Sequence, residues 1–83
     1  MKELEIIISK VKESLSAKED EVAGAVSVNS YIHSTLENRK LEVALFENSA
    51  KQVTTDPTQK STILANFERD AKVLINEINK IEV

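Results

Sequence analysis

Apolar residues recur along the chain at Leu4, Ile8, Val11, Leu15, Val22, Ala25, Ile32, Leu36, Val43, Phe46, Ala50 and Val53. The intervals alternate four and three, so one heptad phase runs from Leu4 to Val53, and 12 of its 15 core positions are apolar. Lys18, Asn29 and Arg39 are the exceptions. A half-buried strand would alternate with period two, whereas sustained intervals of three and four residues place one apolar stripe along a helix. An all-α fold with coiled-coil-like heptad packing is the expectation.

The sequence Thr54-Thr55-Asp56-Pro57 interrupts this phase. Asp56 reads as a helix N-cap, Pro57 as the first helical residue and Gln59 as the capping-box partner. A second stripe then follows at Leu64, Phe67, Ala71, Leu74, Ile78 and Ile81, widened by Ile63 and Ile75. The chain therefore reads as a long helical arm, a corner near Thr54–Asp56 and a shorter returning arm. An unbroken first arm would extend for about 75 Å, roughly twice the returning arm, and would need an intermolecular partner to cover its stripe. Ser16 with Glu19 resembles a capping box, which favours a break near Ser14–Ala17 and three helices over about 2–14, 17–52 and 57–82. The stretch Val22–Asn29, with the one glycine and three valines, is the other candidate break. A short strand at Ile6-Ile7-Ile8 is a lesser alternative, since Val11 and Leu15 continue the helical spacing.

Composition narrows the class further. The 83 residues carry one glycine, one proline, no cysteine and three aromatic residues. A sandwich or barrel needs many tight turns, and these residues cannot build them. A chain of this length forms one small domain, residues 1–83, with a marginal core that a second copy or a partner often completes. No stretch is apolar enough for a bilayer span or a signal-peptide core, so a soluble cytoplasmic protein is expected. Net charge is −3, from 11 basic and 14 acidic residues spread evenly along the chain. Opposite charges at helix spacing, such as Glu68 with Lys72, describe solvated faces.

Little chemistry is encoded. His33 is the one imidazole, with Glu37 four residues on, and no second His or any Cys can complete a zinc site. The position three before His33 is Ser30, which departs from a di-iron Glu-x-x-His pair. His33 is better placed as a partly exposed residue beside the seam. A phosphate loop needs several glycines, and no Gly-x-Ser-x-Gly elbow occurs. Arg39-Lys40 is the one adjacent basic pair, flanked by Glu37 and Glu42, which is too little for nucleic acid. The expectation is a non-enzymatic chain with no cofactor, metal or small-molecule substrate, and no nucleic-acid or membrane partner.

A protein partner, or a second copy of the chain, is what the pattern invites. Asn29 and Arg39 fall at a and d positions, where polar residues set register, or where a bundle is locally open. Leu41 and Leu45 lie off the main seam, four residues apart, and Tyr31 projects toward the same side. A first helix ending near Ser14 would lie along residues 18–33 and stop short of Leu45, leaving both leucines free to meet a partner helix, with Val43 and Phe46 nearby. Isolated surface leucines are the plainer alternative. The Asp56-Pro57 corner followed by the aliphatic stretch Ala71–Ile81 is similar in pattern to type III secretion needle chaperones, which are short helical hairpins. That likeness implies a second functional class, a secretion or assembly co-chaperone that masks a partner's apolar helix.

Overall fold

A computed structural model describes residues 2–25, 27–54 and 56–82. It contains three helices of nearly equal length, α1 (Lys2–Ala23), α2 (Ser30–Lys51) and α3 (Lys60–Asn79). They run up, down and up. Lys60 meets Glu3 at one end and Lys18 meets Ile81 at the other, so α1 and α3 are parallel. Lys12 pairs with Glu47 and Arg39 with Glu77, so α2 is antiparallel to both. The result is an all-α three-helix bundle about three times longer than wide, 50 × 16 × 16 Å.

The first helix ends at Ala23 and the second begins at Ser30, so α1 runs unbroken through the expected break at Ser14–Ala17. The expected helices 2–14 and 17–52 are thus corrected to 2–23 and 30–51. Matched lengths explain the choice. A 22-residue helix spans about 33 Å, so three such helices cover one another's stripes from end to end. A short first helix would have left half of a long second one unpaired. The Val22–Asn29 stretch is also where helix propensity is weakest. Asn29 is the N-cap of α2, its side-chain oxygen accepting from the Ile32 amide at 2.9 Å. Its expected place inside the seam is therefore corrected. The heptad phase crosses this loop only in numbering, because the chain reverses direction there.

The Asp56 corner also differs from its expected form. Asp56 Oδ1 accepts from the amide and hydroxyl of Thr58, at 3.0 and 2.9 Å, and organises a turn over 57–59. The helix itself starts at Lys60, and its N-cap Gln59 makes no side-chain cap bond. The Thr58 amide, with help from its hydroxyl, holds the Asp56 carboxyl below its usual value.

The core follows the predicted stripes closely, except that Ile7 takes the buried place expected of Ile8, which is only partly covered. Leu4, Ile7, Val11, Val43, Phe46, Ala71, Leu74 and Ile78 form the main cluster. Val22, Leu36 and Ile81 form a smaller one at the far end, with Leu15 touching both. Phe46 and Phe67 meet edge to face, their centroids 5.6 Å apart, in the geometry the ring quadrupoles favour. Ile7 is buried and Ile6 exposed, so this triplet is one turn of α1, not a strand.

Gly24 closes α1 without the left-handed conformation that often ends a helix. Its amide donates to the Asp20 carbonyl at 3.0 Å, continuing the helical pattern. A Cβ there would meet its nearest atom, the Asp20 carbonyl oxygen, at an ordinary 3.4 Å. Gly24→Ala should therefore raise stability by about 0.4–1 kcal/mol, by restricting the unfolded chain. A urea titration followed by circular dichroism would read this as a higher midpoint; a lower one would show that the loop needs glycine.

Candidate functional site

The bundle buries one face of α2, through Leu36, Val43, Phe46 and Ala50. The opposite face carries Tyr31, Leu41 and Leu45, which are 77%, 65% and 67% exposed. Helical spacing sets this arrangement: Leu41 and Leu45 are one turn apart and roughly half a turn from the buried stripe. The expected exposure is seen, although the geometry behind it differs. α1 reaches well past residue 33 of α2, and Lys12 Nζ lies 2.8 Å from Glu47 Oε2. The two leucines stay free because they face away from both neighbouring helices. Val43 and Phe46 belong to the core and not to this surface.

The surroundings of these leucines set them apart from Ile6 and Val73, the other large exposed apolar residues besides Tyr31 among the described residues. Ile6 shares a shallow surface hollow with Lys2, Glu5, Lys10 and Glu13. Val73 shares the outer face of α3 with Arg69, one turn away; Leu41 and Leu45 also have charged residues a turn away, Glu37 and Glu42, but these lie at the edges of their face. Along the outer face of α2, by contrast, Leu41 and Leu45 are accompanied by Ser34, Asn38, Asn48 and Gln52, all exposed and all uncharged. In a chain where 30% of residues are charged, this is a dry-tolerant strip with solvated edges. Interface centres are depleted of charge in the same way.

Arg39 sits at the edge of α2 that faces α3. Its guanidinium spans Glu42 at 2.9 Å on its own helix and Glu77 at 3.1 Å on α3, while its Nε is buried without a hydrogen-bond partner. The arginine thus ties α2 to α3 within the bundle. Its partner Glu77 lies outside the apolar pattern, so periodicity alone gave no signal for it.

Electrostatics elsewhere is structural. The Lys12 ammonium holds the Glu47 carboxyl below its usual value, and Lys60 does the same for Glu3. Such groups contribute stability above the usual carboxylate range, which is lost as pH falls through their lowered pKa values. Glu37, with Glu19 nearby, raises the Lys40 pKa. His33 is exposed and borders a shallow groove with Glu19, Glu37 and Lys40. Among the described residues, no three His, Asp or Glu side chains gather as a cation site, and no helix is long and apolar enough to cross a membrane.

Lys18 is the residue sequence reasoning left without a role. It is 8% exposed, donates from Nζ to the Ile81 carbonyl at 2.8 Å and pairs with Glu21 at 2.9 Å. Its appearance as a charged residue in an apolar stripe was the signal. Comparison of the chain with protein-family models, curated proteins and solved structures finds no match.

Proposed function

We propose that this chain is a non-enzymatic protein–protein interaction module that engages another helix through the outer face of α2. The observation that carries this reading is the exposure of Leu41 and Leu45 within a charge-free strip, on a helix whose other large apolar side chains are mostly covered. Contiguous apolar groups rimmed by polar residues mark contact surfaces where single scattered ones do not, and helix-on-helix docking uses anchors at the four-residue spacing of Leu41 and Leu45. Tyr31, at the start of the strip, offers an apolar ring with a polar tip, a residue type favoured at interfaces. The ion pairs Lys12–Glu47, Arg39–Glu77 and Lys60–Glu3 lie off this strip, so covering it requires little desolvation of charge.

A photoreactive amino acid placed at Leu45, in the cell that makes the protein, tests the reading. A discrete cross-linked product is expected at position 45, and none at Glu13 of α1, which is also exposed. Equal labelling at both positions, or none at either, would overturn it. The co-chaperone alternative calls for a product with a different protein whose apolar helix is masked.

A further inference from the structure

We infer that the partner of the α2 outer face is a second copy of this chain, paired antiparallel about a two-fold axis between Leu41 and Leu45. The inference rests on the interaction reading above and adds its occupant and register. The outer face has a heptad spacing of its own, out of phase with the buried stripe: Ser34, Asn38, Leu41, Leu45, Asn48 and Gln52, at alternating intervals of four and three. Read in either direction the order is the same in kind: small polar or amide, Asn, Leu, Leu, Asn, polar. A two-fold interface pairs residue i of one copy with j of the other and j with i, so a strip that reads alike in both directions sets like residues against like.

Laid antiparallel, Leu41 of each copy meets Leu45 of the other, Asn38 meets Asn48, and Ser34 meets Gln52. The leucines form a dry centre, and the two Asn pairs flank it as mutual donors and acceptors. Buried amides of this kind fix register in paired helices. The strip spans nearly the whole of α2, which is 22 residues and about 33 Å long.

Charge at the edges selects the same direction. On one edge the order is Glu37, Ala44, Lys51. Antiparallel pairing sets Glu37 of each copy against Lys51 of the other, with Ala44 meeting Ala44 at the axis, where its small side chain allows close approach. Parallel pairing would instead bring Glu37 against Glu42 of the other copy. In the antiparallel register, Glu42 approaches its own counterpart across the axis, and Arg39 Nη2, 2.9 Å from Glu42, offsets that repulsion within each copy. Glu37 and Lys51 are exposed, and their ion pairs to Lys40 and Glu47 lie within α2, so they can be shared or exchanged without disturbing the bundle.

Sedimentation equilibrium over a concentration series at low salt tests this, with circular dichroism confirming that each variant keeps its helices. The wild-type mass should rise from 9.3 kDa toward twice that value. Leu41→Glu with Leu45→Glu should hold the chain at the single-copy mass. Glu37→Lys alone and Lys51→Glu alone should each weaken association by about tenfold, since two attractive surface pairs become repulsive. Combined, the two reversals should restore wild-type association to within about twofold, because the pairs are re-formed with opposite polarity. A wild type that stays at 9.3 kDa throughout overturns the two-fold pairing, and a Leu45 cross-link to a different protein would then leave the broader reading standing. Association that the leucine variant removes but the charge reversals leave unchanged, or fail to restore, overturns the antiparallel register. Association unaffected by the leucine variant overturns both.

Discussion

Ile78→Ala should lower the free energy of unfolding by about 2–5 kcal/mol. Ile78 is fully buried on α3 and belongs to the main cluster that joins all three helices. The substitution removes the transfer energy of the lost carbons and leaves a cavity that a tightly packed interior refills only in part. At about 0.05–0.15 kcal/mol per residue, a chain of 83 residues has little stability to spare. The variant is expected to melt far below the wild type and to be partly unfolded at 37 °C. Ile78→Val, which leaves a smaller hole, should cost about 0.5–1.5 kcal/mol. Urea titrations of the three proteins, followed by circular dichroism, provide the check. A loss under 1 kcal/mol for the alanine variant would mean that the neighbouring side chains close over the site, contrary to the packing described.

The second large effect is expected at Lys18. Its stem runs through an apolar seam, and its ammonium satisfies a carbonyl just beyond the C-terminal end of α3, a region whose backbone acceptors lack helical partners. Lys18→Ala removes the hydrogen bond and the packing of the stem, and should cost about 2–3 kcal/mol. Lys18→Met keeps most of the stem and removes only the charge, so about half of that cost is expected, since apolar replacement of a buried charge is often well tolerated. Hydrogen exchange would separate the two contributions. In the methionine variant, the amides of the last turn of α3 should lose protection while those around Val11 keep theirs. Uniform loss across the bundle would show that the ammonium supports the whole fold and not this end of it.

Much of the architecture was legible in the apolar pattern, because burial of a stripe is a physical demand that spacing expresses directly. Val11, Phe46, Leu74 and Ile78 lie where the heptads put them. The position of the first loop was harder to read. Ser16 with Glu19 satisfies the capping-box rule, whereas Asn29, thirteen residues later, is an N-cap with no box partner, since Ile32 stands three residues on. Only the requirement that three stripes cover one another at equal length decides between them. Local preference is a weak guide where tertiary packing disagrees. Asp56 illustrates the same limit: it accepts from Thr58, but the turn it organises precedes the helix instead of opening it. The exposure of Leu41 and Leu45 was visible as a departure from phase. The symmetry of their strip was not, because a second heptad on the same helix becomes meaningful only once the first is known to be buried.

The parallel pairing of α1 and α3 has a consequence for how the chain comes into being. Helices joined by short loops run antiparallel, so two parallel helices must be brought together by everything between them. Lys18 and Ile81 are 63 residues apart in a chain of 83. During synthesis α1 and α2 can meet early as a local hairpin, with only a short loop to close. The sides of Val11 and Phe46 that α3 will cover then remain wetted. Until α3 has been made, the nascent protein is an amphipathic pair with an open groove, exposed to association with whatever apolar helix is near. The last quarter of the sequence is therefore what turns a sticky intermediate into a closed bundle.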